Sequence, residues 1–325
     1  MSVAQPPVSR ALTKDPAAWL REDRSMAPLD LAGFADPALR AIADKILTGE
    51  HLSFDDGMNP VAEPRAVEWN RQILGALDAA QVHAIVFPAG HKVGSPEGLA
   101  LIADWSKSGH AIGNHTFSHT GLGPHGLTPR QFESDVLRNE HEFSSLDGWQ
   151  RLLRFPYLKE GETPAVRDEI RDWMRDHAYR PGPVSVDTSD WFYNERYLAL
   201  PAQDSVRRST LRDLYLAHLW DRANFYDGLA RSVLHRRPAH VMLLHTNAIN
   251  AAFLPDVVAM FRARGWKIVD TMKAFADPLY RMEPRAVPAG ESILWALAKD
   301  AGIRGLRYPG EDDVYEKPIL AKAGL

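Results

Sequence analysis

Apolar positions along the chain change their spacing repeatedly, and each change marks an element. From about residue 50, short continuous runs of apolar or β-branched residues alternate with segments whose apolar residues recur every three or four positions. The runs HLSF (51–54), VHAIVFPAG (82–90), HAIGNHT (110–116), LLRFPY (152–157), VSVDTSDW (184–191), HVMLLHT (240–246) and WKIVDT (266–271) predict strands. Between them, Ala66–Ala80 carries Val67, Ile73, Leu74 and Leu77 at helical spacing. Helices are also expected over 98–109, over Pro129–Leu146 and over 164–177, the first closed by Gly109 and the second opened by Thr128 and Pro129 as cap and first-turn residue. Strand and helix in strict alternation argue for an α/β fold built on a parallel sheet or barrel.

Three regions fall outside that rhythm. Residues 1–47 are polar and proline-bearing, with a short helix expected over Pro37–Ile46, and read as an N-terminal extension. The span between Trp191 and His240 is long and mostly helical (Asp204–His235), which marks a helical insertion over about 195–236. It carries Tyr193, Tyr197, Tyr215, Trp220, Phe225 and Tyr226, read as core contacts of an added helical pair rather than a sugar-stacking surface. Residues 276–325 read as a C-terminal extension packed on the domain formed by 48–275.

Composition narrows the function. The 325 residues are 45% hydrophobic and 25% charged, as in a globular protein with a sizeable core. A net charge of −4 leaves no electrostatic footprint for nucleic acid or an anionic membrane. No apolar run approaches the roughly 20 residues of a membrane helix, and the visible start has no hydrophobic signal region. With no cysteine, disulfides, thiolate metal sites and cysteine nucleophiles are excluded. Any metal would rest on His, Asp or Glu, a donor set suited to zinc or another borderline divalent ion.

Five short motifs carry candidate chemistry. SFDDG (53–57) ends a strand in two adjacent carboxylates, Asp55 and Asp56, which alternation turns in different directions. One could bind a cation while the other handles a proton; an ordinary Asp-Asp-Gly turn is the alternative. His115 and His119 follow the third strand four residues apart, as ligands of one cation or as structural histidines. Arg154, in RFPY (154–157), is placed either to orient a carboxylate or simply at a surface. In DTSDW (187–191), Asp190 could orient a histidine and Trp191 could wall a pocket, or the segment is a plain turn. His245 directly follows a buried strand, as a proton donor or a core histidine.

Taken in order, these motifs resemble the five-motif series of the polysaccharide deacetylases, the NodB-homology domains of carbohydrate esterase family 4, over roughly residues 48–275. The resemblance implies a distorted (β/α) barrel, usually of seven strands, and metal-dependent removal of acetyl groups from N-acetylated or O-acetylated glycans. It implies Asp55 as general base, Asp56, His115 and His119 as ligands of a divalent metal (zinc first, then cobalt, nickel or manganese), and Arg154 as the residue holding the base. It further implies Tyr157 as the backbone N–H beside the oxyanion, Asp190 as the partner of the acid His245, Trp191 as a groove wall and Leu243 as the floor of an acetyl-methyl pocket. It leads one to expect a periplasmic or secreted protein. Thr246 and Asn247 depart from the family, many members of which place Asp directly after the histidine. Two alternatives stay open: an amide or cyclic-imide hydrolase for a small non-sugar molecule, and a non-catalytic glycan-binding module.

Overall fold

A computed structural model describes residues 49–325, so the expected extension over 1–47 and its helix over Pro37–Ile46 lie outside the described residues. Strand β1 (Gly49–Asp56) is followed by α1 (Ala66–Ala80), β2 (Ile85–Pro88), the short α2 (Gly90–Val93), α3 (Pro96–Lys107), β3 (Ala111–Asn114), α4 (Pro129–Phe143) and β4 (Trp149–Leu153). Then come β5 (Lys159–Gly161), α5 (Pro164–Asp176), β6 (Arg180–Pro181), α6 (Asp190–Ala199), α7 (Ser205–Leu234), β7 (His240–His245), α8 (Ala248–Ala263), β8 (Lys267–Ile268) and α9 (Thr271–Ala274). Strand β9 (Ala289–Gly290), α10 (Ile293–Asp300) and α11 (Asp313–Lys322) complete the chain.

The strands form a parallel sheet in the order β6-β4-β3-β2-β1-β7, with β8 beside the start of β1. Strand β1, paired with β2, β7 and β8, is buried on both faces, which explains why Leu52 and Phe54 alternate with equally enclosed Ser53 and Asp55. Residues 182–186 connect the two ends of this order. The Gly182 N–H donates to the Leu153 carbonyl, while Ser185 and Val186 donate to Val241 and Leu243 donates back to Val186. The sheet therefore curls into a distorted (β/α) barrel, and Trp105, Ile73, Leu77, Leu254, Val257 and Phe261 pack helices against its outside.

Two predicted strands end early, each for a local reason. The run 152–157 leaves the sheet after Leu153, because Pro156 has no N–H to give and Tyr157 and Leu158 adopt positive φ (55° and 57°) in a tight turn. The run 184–191 keeps a single bridge, Val186 to Met242. Beyond it the side chains replace the ladder: Asp187 Oδ1 accepts from the Thr188 N–H at 2.9 Å and the Thr188 hydroxyl donates to the Leu243 carbonyl at 2.7 Å. Helix α6 then begins at Asp190.

Helix α7 runs for 30 residues with Leu211, Tyr215, His218, Leu219, Arg222, Ala223 and Tyr226 buried along one side, a helical stripe of three- and four-residue steps. Of the aromatic residues singled out by sequence, Tyr193, Tyr215 and Tyr226 are fully buried, and Tyr197, Trp220 and Phe225 pack at the edge of the core. The C-terminal residues add β9 antiparallel to β5, and Ser292 bonds to the Ser185 carbonyl at 2.7 Å. Among the described residues no helix is long and apolar enough to cross a membrane.

Candidate functional site

The singled-out polar residues gather where the parallel strands end, the face at which barrels of this kind build their sites. Asp55 and Asp56 close β1, His115 and His119 lie just past β3, Arg154 follows β4, and His245 ends β7. Asp190 opens α6.

The two adjacent aspartates turn to different partners. Asp55 is buried and takes Arg154 Nη1 on both oxygens, at 2.8 and 3.1 Å. Arg154 is itself fixed by Ser53 Oγ at 3.1 Å and the Gly182 carbonyl, and it lies over the Phe87 ring. Burial pushes the Asp55 carboxyl above the usual carboxylate range, with Arg154 and His245 opposing the shift. Asp56 turns the other way, with φ +84°. Its Oδ1 lies 3.3 Å from His119 Nε2 and 3.9 Å from His115 Nε2, and is buried without a hydrogen-bond partner. Burial works against its charge, but His245, His115, His119 and Lys92 outweigh it and hold the carboxyl below the usual range.

His115 and His119 are both suited to ligation. His115 Nδ1 donates to the Arg154 carbonyl at 2.8 Å, which leaves the Nε2 lone pair facing the aspartates. Burial lowers both imidazoles to about 4, so both are neutral at ordinary pH. Asp56, His115 and His119 each bring one ligand atom within 4.8 Å of the others. Two imidazoles and one carboxylate, whose buried Oδ1 has no hydrogen-bond partner, fit a divalent cation that keeps positions open for other ligands.

Across the mouth, His245 is the opposite case. Its Nδ1 meets Asp190 Oδ1 at 2.7 Å, and its backbone N–H donates to Asp190 Oδ2 at 2.8 Å. The same Oδ2 accepts from Asn247 Nδ2 at 3.1 Å and Asn250 Nδ2 at 2.7 Å. Burial opposes the imidazolium, yet the charge of Asp190, then of Asp56 and Asp55, pushes His245 up to about 10. In the sheet register His245 lies beside Asp55.

Of the remaining sequence candidates, Tyr157 is 65% exposed and sets its ring edge-on to His119, with centroids 4.9 Å apart. Trp191 is 37% exposed in the first turn of α6. Leu243 is buried in β7 two residues before His245, hence on the same side of its strand.

Several neighbours escaped the sequence reading. Lys92 on α2 places Nζ 3.6 Å from Asp56 Oδ2. Thr246, visible in sequence only as a departure from the motif series the chain resembles, joins the two strand ends: its hydroxyl donates to the Asp55 carbonyl at 3.1 Å and accepts from the Gly57 N–H at 3.0 Å. Asn247 caps α8, and Asn250 is held by the Tyr215 hydroxyl at 2.6 Å. The pair Asn247 and Asn250, three apart at a helix start, was the available signal.

Comparison with known proteins gives a consistent picture. Residues 50–181 match the sequence model of the family described as polysaccharide deacetylase. The chain is 29% identical over 142 residues to a peptidoglycan-N-acetylglucosamine deacetylase of Bacillus cereus, covering 43% of this chain and 45% of that protein. It is 26% identical over 141 residues to a chitooligosaccharide deacetylase of Azorhizobium caulinodans, covering 43% and 60%. The match thus spans about half the length of these curated relatives. A family 4 carbohydrate esterase pseudoenzyme from Bacillus anthracis shares the fold, with 16% identity, a TM-score of 0.50 and coverage of 70% of this chain and 65% of that one. A mutant of it with restored activity aligns with 18% identity, the same TM-score and coverage of 70% and 67%.

Proposed function

We propose that this chain, a member of the polysaccharide deacetylase family, hydrolyses the acetyl group of an N-acetylated or O-acetylated glycan or oligosaccharide. The observation that carries the reading is the divergence of Asp55 and Asp56. One carboxylate is locked onto Arg154, the other faces two neutral imidazoles, and a protonated histidine stands opposite.

Asp56, His115 and His119 would hold the divalent cation, for which zinc suits the donor set best. When bound, such an ion polarises an acyl carbonyl and makes a neighbouring water more acidic. Asp55 is the base: its oxygens, oriented by Arg154, take the proton from the attacking water. As the carbonyl carbon becomes tetrahedral, the Tyr157 backbone N–H serves as a donor to its oxygen. His245, kept as imidazolium by Asp190, then gives its proton to the departing nitrogen, because an amide nitrogen leaves poorly unless protonated. Trp191 and Tyr157 present partly exposed rings to the sugar, and Leu243 receives the acetyl methyl. We assign these steps to the domain formed by 48–275. An envelope or extracellular glycan as substrate would place the protein in the periplasm or outside the cell.

The pseudoenzyme among the structural neighbours makes a purely glycan-binding module the reading to defeat. The retention here of both proton-transfer residues and all three candidate ligands supports catalysis. The test is acetate release from N-acetylglucosamine oligomers, peptidoglycan and acetylated xylan, each with protein as purified, after chelation, and after zinc or cobalt is restored. Release that disappears and returns with the metal is expected. No release from any glycan would overturn the reading, and release from small amides or cyclic imides instead would replace the substrate class.

A further inference from the structure

A second polar network lies behind the acid pair and joins Ser189 of the fourth motif to residues outside all five. His218 is buried on α7, and Glu316 is buried on α11. The Ser189 backbone N–H donates to His218 Nε2 at 2.9 Å. His218 Nδ1 lies 3.3 Å from Glu316 Oε1, and the Tyr193 hydroxyl donates to Glu316 Oε2 at 2.9 Å. Ser189 is the N-cap residue of α6 and makes no side-chain cap; its hydroxyl is buried without a partner. The start of α6 thus donates a hydrogen bond to a side chain on another helix, and the next residue is Asp190.

Together with Glu311, His218 and Glu316 also bring ligand atoms within 4.8 Å of one another, and Glu311 Oε2 is buried without a hydrogen-bond partner. The tautomer argues against a cation there. An N–H pointing at Nε2 requires the lone pair at that nitrogen, so the ring proton sits on Nδ1 and faces Glu316. The imidazole has no lone pair left to give. Glu311 Oε1 is already held by Arg222 at 2.9 Å and Arg307 at 3.2 Å, so this carboxylate is committed to two guanidinium groups.

We propose that His218, oriented by Glu316, is a positioning residue that fixes the Ser189–Asp190 turn and thereby the bond between Asp190 and His245. The inference rests on the reading of His245 and Asp190 as the acid pair. The helical insertion and the C-terminal residues would then act on the chemistry through one backbone N–H, without touching substrate. A small displacement of a catalytic group is enough to cost up to about a hundredfold in rate.

The test uses the full chain with His218→Leu, which removes the acceptor, and His218→Gln, whose side-chain carbonyl can replace Nε2. Three quantities are read: kcat and KM on N-acetylglucosamine oligomers, the thermal midpoint, and the downfield proton resonance of the His245 imidazole N–H bonded to Asp190, assigned by its loss in His245→Asn. His218→Leu is expected to lower kcat about tenfold to a hundredfold with KM within about twofold, and to shift or broaden the resonance. His218→Gln should restore most of both. A fall in thermal midpoint with kcat and the resonance unchanged would overturn the proposal. If His218→Leu does not fold, Glu316→Ala reads the same link from α11, and an unchanged kcat and resonance there overturn it equally. The resonance needs no turnover, so a wild-type chain that releases no acetate defeats the functional reading while the positioning claim is still decided.

Discussion

Three histidines face one another across the barrel mouth, and the two sides hold them in opposite states. On the β1–β3–β4 side, burial lowers His115 and His119 to about 4, leaving neutral rings with lone pairs to offer. On the β7–α6 side, Asp190 overrides burial and raises His245 to about 10, leaving a ring with a proton to give. The residue type is the same; the difference is one carboxylate bonded directly to Nδ1, where His115 has only a backbone carbonyl. Environment assigns the chemistry, as it does wherever neighbouring groups with equal intrinsic acidity take acid and ligand roles.

The comparison breaks most directly if the neutral side is disabled. His119→Ala should remove the bound ion and, with it, acetate release to background, read by metal analysis beside the activity assay. Next, His245→Asn should leave the ion in place and lower kcat by about 10²- to 10⁴-fold, the usual contribution of a positioned acid. If His245→Asn instead releases the metal, the two sides are not chemically separate.

Smaller effects sharpen the contrast through pH. A working His245 must be protonated, so activity should fall as pH rises through its raised value. Asp190→Asn removes the cause of that rise and should move the alkaline limb down towards the ordinary imidazole value of 6.5. As the proposed base, Asp55 would have to be ionised, so activity should fall as pH drops through a value above the ordinary carboxylate 3.8. Arg154→Met takes away the cation that restrains that shift and should move the acid limb to higher pH. Pre-steady-state rates across pH would separate the limbs. The smallest effect is structural: Thr246→Val removes the hydroxyl that links the Gly57 N–H to the Asp55 carbonyl, leaving both with only their backbone partners, and should cost roughly 0.5–1.5 kcal/mol in denaturant unfolding.

The two sides also differ in how far they can be read from sequence. Asp55, Asp56, His115 and His119 lie in short contiguous motifs directly after strands, so strand alternation and chain order suffice to bring them together. Helix α1 falls over the predicted Ala66–Ala80 for the same local reason. The β7–α6 side depends on pairings distant in sequence: Asn250 with Asp190, Tyr215 with Asn250, His218 with Ser189. No local pattern announces them, since a buried polar residue on a helix looks like an exposed one until its partner is known. Lys92 escaped for a related reason, as it reaches Asp56 from a four-residue helix that no periodicity marks. The predicted strand 184–191 failed because Asp187 and Thr188 use their side chains where a strand would use its backbone.

On the proposed reading the adjacent aspartates divide the work, Asp55 handling the proton and Asp56 the cation. Metal content and acetate release measured side by side for Asp55→Asn and Asp56→Asn test it most directly. Asp55→Asn is expected to keep one equivalent of bound divalent metal while turnover collapses, and Asp56→Asn to lose both. Loss of the metal in Asp55→Asn, or retention of turnover in either variant, would contradict it.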